Sequence, residues 1–434
     1  MKYPQFTGIA AAVSVSLLLA ACQTATPPQA RYQPAFPGTA QRPVLSSDEA
    51  ARFTLQHYFA YRGLYASPIA DAWVPQSINT AAVKTPYVVG LTKGIDGVNF
   101  TQVQDAVNAA LKQQKDKQRI YIKLQPGTYI GTVYIPADAP PITLFGAGES
   151  PEKTVISLGL DSMISPETYR TIVNGNQQYQ PNDPAWYMYD VCASKQNKTI
   201  DTICAAVLWS QSDEFQLKNL TVVNSLLDTV DSGTHQGVAL RTDGDKVQLE
   251  QVRLIGRQDT FFVNTSDKKN NYVTDHYSRA YIKDSYIEGD VDYVFGRATA
   301  VFDSVRFHTV STRKSKEAYV FAPDTMPWVK QGFLVINSEL TSDSGYKTGK
   351  QKANMGRAWD QGARQTGYLP GKTANGQLVI RDSTIDSGYD LLNPWSAAAT
   401  TNRPFKGNVS PQRDLDDINY NRLWEYKTTV LLNK

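Results

Sequence analysis

Two aspartates carry the chemistry this sequence can do. Asp259 stands in Gln258-Asp259-Thr260-Phe261-Phe262, and Asp292 in Asp292-Tyr293-Val294-Phe295-Gly296. Two carboxylates held close together cannot both ionise cheaply, so one pKa rises, the other falls, and the pair titrates as a unit. That suits one carboxylate as nucleophile and the other as acid. Glutamine beside the pair offers amide donors of the kind that stabilise an oxyanion. The alternative is two turn aspartates facing solvent, because aspartate is common in turns.

The surrounding repeat decides whether the two side chains can meet. Apolar residues recur at i, i+2, i+5 and i+7 in Phe215/Leu217/Leu220/Val222, in Val247/Leu249/Val252/Leu254 and in Ala300/Phe302/Val305/Phe307. With serine at the third place, the sets starting at Ala280, Phe333 and Leu378 join them. Each set reads as two short alternating strands around a polar pair such as Lys218-Asn219 or Asp382-Ser383. The starts at 215, 247, 280, 300, 333 and 378 are 32, 33, 20, 33 and 45 residues apart. A short minimal unit with variable loops is the signature of a strand solenoid. We therefore expect an all-β chain wound as a right-handed parallel β-helix. A helix near the N-terminus, N-capped by Thr101 and apolar at Val103, Ala106, Val107, Ala110 and Leu111, is expected to cap its open end. Asp259 lies 12 residues after Val247, and Asp292 lies 12 after Ala280; Phe262 and Phe295 both fall at 15. Equal offsets in consecutive coils stack side chains at the strand spacing, which puts the carboxylates about 5 Å apart.

The first residues read as an address. A single Lys2 precedes an apolar stretch from Gly8 to Ala21, too short for a bilayer-spanning helix but suited to a secretion signal. Its end, Leu19-Ala20-Ala21-Cys22, looks like a bacterial lipobox, with Gln23 next. That resemblance implies removal of residues 1–21, acylation of Cys22 and delivery to the outer membrane. Five prolines between Gln23 and Val44 suggest a semi-extended tether over 22–44, leaving 45–434 as the folded domain. Cys192 and Cys204 are then an even pair in an oxidising compartment, which favours a disulfide over two free thiols.

Composition narrows the remaining classes. Lys+Arg is 44 against 41 Asp+Glu, so a generally basic nucleic-acid binder is excluded. No Cys-x-x-Cys, His-Glu-x-x-His or Gly-x-Ser-x-Gly occurs, and Gly146-Ala-Gly148 is not continued as a dinucleotide fingerprint. No metal or cofactor is expected. A lone His235 next to Gln236 reads as structural. The run Trp186-Tyr187-Met188-Tyr189 reads equally as a sugar-stacking rim or as loop packing.

Four motifs in order resemble those of the pectinesterases (pectin methylesterases), above all their bacterial outer-membrane lipoprotein branch. They are His235-Gln236-Gly237-Val238-Ala239-Leu240, the two aspartate motifs, and Gly356-Arg357-Ala358-Trp359, within a match running from about residue 85 to the C-terminus. The resemblance implies a parallel β-helix. It makes Asp292 the nucleophile and Asp259 the acid, then base. Gln236 and Gln258 would be oxyanion donors, Arg357 the partner of Asp292, and Trp359, Phe262 and Phe295 the lining of a sugar cleft. The implied partner is methyl-esterified pectin or its oligomers, bound by a monomer. Three departures touch supporting positions: Gly127-Thr-Tyr129-Ile-Gly131 lacks the family glutamate, Gly237 replaces alanine, and Ala358 replaces proline. The competing readings are an esterase or thioesterase acting on another acyl group, or a chain-cleaving glycosidase or lyase. A glycosidase also needs two carboxylates, whereas a calcium-dependent lyase needs an acidic cluster. A non-enzymatic carbohydrate-binding solenoid is the reading the aspartate motifs disfavour. Palmitate labelling of the expressed chain should disappear in Cys22→Ser; label that persists would refute the anchor.

Overall fold

Each apolar set in the computed structural model is two strands separated by one residue in left-handed backbone. The structure describes residues 31–432 except 115, 272 and 275, so Cys22 and the signal lie outside it. Asn219, Gln251, Asp284, Ser304, Asn337 and Asp382 have φ between 48° and 58°. Asparagine and aspartate tolerate this region best, which explains the polar pair between strands. Val247–Glu250 thus turns into Arg253–Ile255, and Arg279–Lys283 into Tyr286–Gly289. A third strand completes each coil: Phe261–Val263 in the first case and Val294–Gly296 in the second.

The coils stack into two ten-stranded sheets and one of seven, parallel except where the N-terminal strand joins. The chain is a parallel β-helix. Along one sheet Leu217, Leu249, Ile282, Phe302, Val335 and Ile380 are successive partners. Along another, Val222, Leu254, Ile287, Phe307, Leu340 and Ile385 are. All twelve are buried in one core. Serine at the third place completes the polar ladder. Ser285, Ser338 and Ser383 donate to the carbonyl two residues back and accept the amide of the preceding coil, Val252, Val305 and Ser338 respectively.

Two coils precede the first recognised set. They run through Ile120–Leu124, Gly127–Ile130 and Val133–Ile135, then Ile142–Gly146, Thr154–Leu158 and Ala206–Ser210. Their strand pairs are spaced differently from the later ones, so the i+5 and i+7 template misses them. An insertion between the last two of these strands carries the helices Pro166–Asn174 and Trp186–Ala193. A Cys192–Cys204 disulfide, Cα–Cα 5.7 Å, ties it. Met188 and Tyr189 are buried there, with Tyr189 stacked on Tyr179 at 5.4 Å, so this aromatic run packs the loop.

Two expectations about the N-terminal side change. The helix Val103–Gln113 is N-capped by Gln102, not Thr101, with no side-chain cap bond. Gln104 instead accepts from the Tyr134 amide at 2.6 Å, fixing the helix to the first coil. The stretch 31–44, read as tether, is docked: Arg31–Tyr32 pairs with Thr429–Leu431. Arg42 makes a bidentate ion pair with Glu425 at 2.7 and 2.8 Å, both side chains buried. Breaking such a pair strands a buried charge, which is why these prolines follow the last coil instead of solvent.

Phe302 sits at the centre of the core ladder, in ring contact with Phe261, Phe307, Phe321 and Phe333. Phe302→Ala should lower unfolding free energy by about 3–5 kcal/mol, read from urea midpoints; a loss under about 1 kcal/mol would contradict this packing.

Candidate active site

The register that stacks the core also stacks the two aspartates. Phe261 pairs with Val294 and Phe262 with Phe295 in adjacent third-sheet strands. Asp259 and Asp292 each stand two residues before those partners. Both have left-handed backbone, φ 67° and 48°. A non-glycine residue held there is strained unless its surroundings fix it. Here the coil fixes it, as the Asp259 amide donates to the Val291 carbonyl at 3.0 Å.

The two carboxylates sit in different electrostatic surroundings. Arg357 donates from Nε to Asp292 Oδ1 at 2.9 Å and from Nη2 to Oδ2 at 2.7 Å. Its guanidinium lies 3.9 Å from the Tyr319 ring centre and 3.5 Å from Glu317. Burial works against the Arg357 charge, but the Asp292 carboxylate outweighs it and holds the guanidinium firmly protonated. Asp259 has no cation in ion-pair contact among the described residues. Burial drives its carboxyl well above the ordinary carboxylate range, and the Asp292 charge adds to the shift while Arg357 opposes it. The site therefore offers a carboxylate clamped by a fork of donors beside a carboxyl kept as the acid.

Gln236 and Gln258 meet in a parallel bridge one coil apart. Gln236 Oε1 accepts from the Ser162 hydroxyl at 2.5 Å, and Gln258 Oε1 accepts from the His235 amide at 3.0 Å. With both carbonyl oxygens engaged, the two NH2 groups are the free ends, and neither has a partner among the described residues. Gly237 follows for a local reason: a Cβ there would come within 3.0 Å of the Asn224 side chain, which bonds the Leu160 carbonyl.

The aromatic residues divide. Phe262 and Phe295 stack at 4.3 Å and 9°, the in-register pair expected from their offsets. They are nearly fully buried, however, against Trp209 and the insertion, so they form a floor beneath the cleft. Trp359, partly exposed, packs on them at 5.8 and 6.4 Å and is the ring a sugar would meet.

Three groups near the site were not legible as such. His235 contacts Asp161 through Nδ1 at 2.6 Å and Asp231 through Nε2 at 3.2 Å, positioning the Gln258 amide through its backbone. Asp290, two residues before Asp292, is clamped by Arg313 at 2.7 and 3.1 Å, and Arg313 also reaches the 231 and 233 carbonyls. Arg241, fully buried, pairs with Asp243 and lies 5.1 Å from the Phe262 ring. Isolated charges in sequence give no sign of such burial; only three-dimensional neighbours do.

The chain is similar to known proteins in sequence and fold. The pectinesterase family profile matches residues 190–368. Pectinesterase B of Dickeya dadantii strain 3937 is 71% identical over all 434 residues, covering 100% of both chains. Escherichia coli YbhC, named for a provisional acyl-CoA thioester hydrolase activity, is 44% identical over 96% of this chain and 95% of its own. Its solved structure superposes with TM-score 0.85, covering 93% of this chain and 98% of that one. The structure of rice weevil pectin methyl esterase, 37% identical, superposes with TM-score 0.80 over 92% and 99%.

Because burial raises the Asp259 carboxyl well above the ordinary carboxylate range, the folded chain binds a proton that the unfolded chain releases. Stability therefore falls as pH rises from about 4 through the folded-state value. Asp259→Asn should remove that fall and unfold at higher urea than the parent at neutral pH, with the gap shrinking towards pH 4; a gap independent of pH would contradict the buried acid.

Proposed function

The chain belongs to the pectinesterase family, and on that premise we propose that it hydrolyses galacturonate methyl esters of pectin, using Asp292 as nucleophile. The observation that carries the mechanism is the unequal treatment of two equivalent carboxylates: Arg357 holds Asp292 by two donors, and burial keeps the Asp259 proton.

Ionised Asp292 attacks the ester carbonyl carbon, and the carbonyl electrons move onto oxygen. The NH2 groups of Gln236 and Gln258 are the donors for that charge, pre-oriented by Ser162 and His235. As the tetrahedral species collapses, the ester C–O bond breaks and Asp259 gives its proton to the departing methoxide, releasing methanol. An acyl anhydride to Asp292 remains. Asp259, now a base, takes a proton from water as the water oxygen attacks the acyl carbon. The anhydride C–O bond to Asp292 breaks, Asp292 departs as the carboxylate, Asp259 keeps the proton taken from water, and the galacturonic acid product leaves and loses its remaining proton to solvent. Arg357 stays beside Asp292 throughout and stabilises it as a leaving group. Trp359 supports the sugar ring over the Phe262–Phe295 floor.

The motif ending in Cys22 supports delivery to the outer membrane with the acylated cysteine as anchor, the enzyme working as a monomer. Because residues 31–44 are docked, only about nine residues of sequence separate Cys22 from the fold, a covalent reach of at most roughly 30 Å.

Methylated galacturonate oligomers and polymer should yield methanol without a fall in chain length, and Asp292→Ala should lower that rate by at least about 10³-fold. Chain cleavage without methanol would indicate a glycosidase or lyase. Hydrolysis of an acyl-CoA with no methanol from pectin would favour the thioesterase reading.

A further inference from the structure

Asp259 and Asp292 stand where the chain enters the third sheet. A separate cavity of 400 Å³ forms where the chain leaves that sheet and enters the sheet of Leu249 and Ile282, roofed by the segment around Tyr61–Tyr65. A smaller cavity of 220 Å³ shares Tyr65, Lys330 and Asp416 with it, so the two are one bent groove. None of the proposed catalytic residues lines either.

Arg422 forms part of this wall and is only 7% exposed. Its Nη2 donates to the Asn375 carbonyl at 2.7 Å, while Nε has no hydrogen-bond partner. Among the described residues no carboxylate is in ion-pair contact with it. Burial works against its charge, and Asp416, the carboxylate that offsets this from further away, is already paired with Arg52 at 2.8 Å. A buried guanidinium without a counter-ion is costly, and an arriving carboxylate is its natural complement. Lys330 is exposed in the same groove with its ammonium 5.1 Å from the Tyr65 ring and no carboxylate partner among the described residues. Flat rings beside unpaired cations suit a ligand with apolar sugar faces and carboxylates.

We propose that this groove is a second, non-catalytic binding site for an acidic sugar chain, Arg422 and Lys330 taking uronate carboxylates and Tyr65 a sugar face. This rests on the pectinesterase reading for the ligand's source, since each ester hydrolysed creates one such carboxylate. The groove would then retain the de-esterified part of a chain while the catalytic cleft takes the methylated part.

Calorimetric titration of the full chain carrying Asp292→Ala with an unesterified galacturonate trimer tests this. Two binding events are expected. Arg422→Gln and Lys330→Ala should each weaken one of them by about tenfold or more and leave the other alone. A neutral galactose trimer should not fill the site. Placed in the active chain, both substitutions should leave methanol release from a methylated trimer unchanged. Lys330 is on the surface, so its variant keeps the test valid if Arg422→Gln does not fold. A single binding event untouched by Lys330→Ala, or equal binding of the neutral trimer, would overturn the proposal. Absence of methanol release by the unsubstituted chain would instead strike the esterase reading and leave uronate binding standing.

Discussion

Strand-to-strand spacing in a parallel ladder is the constraint on which everything else in this molecule depends. A coil adds one strand to each sheet, and every residue must sit over its equivalent one coil away at about 4.8 Å. The core satisfies this with ladders of apolar residues. The turns satisfy it with left-handed Asn, Asp and Ser, and the serine hydroxyls close the polar gaps between coils. Given that spacing, placing an aspartate at one offset in two successive coils forces two carboxylates together. The fold itself supplies the energy to hold like charges near each other, because moving either would break register along a whole sheet.

Proximity alone would give two equivalent acids. The asymmetry comes from the next coils: Arg357 reaches back to Asp292 and leaves Asp259 buried with no cation in ion-pair contact among the described residues. Other buried pairs serve this geometry from beneath. Arg313 holds Asp290, and Arg241 with Asp243 backs the Phe262 floor. Such pairs add little net stability, and removing one partner is costly. They fix where loops lie, which is what an active site built on coil ends requires.

The sequence exposed those parts of this arrangement that obey a local period. The sets from Phe215 onward, the offsets of Asp259 and Asp292, and the stacking of Phe262 on Phe295 all follow from counting residues. The coils through Ile120 and Ile142 escaped, because longer links separate their strands. Thr101 looked like a cap by residue type, yet Gln104 reaching Tyr134 decides where that helix sits. Residues 31–44 looked like linker by proline content, while the Arg42–Glu425 pair that docks them spans 383 residues of sequence. Burial of Phe262 under the 159–205 insertion and the two carboxylates around His235 are likewise long-range facts.

The central claim is that register couples the two carboxylates, and titration reports coupling directly. Carbon-13 NMR of the Asp259 carboxyl across pH, in the parent chain and in Asp292→Asn, isolates that contribution. The account predicts a titration point well above the ordinary carboxylate range in the parent and a clear fall in the variant, where the neighbouring charge is gone. An Asp259 titration unchanged by Asp292→Asn would contradict it.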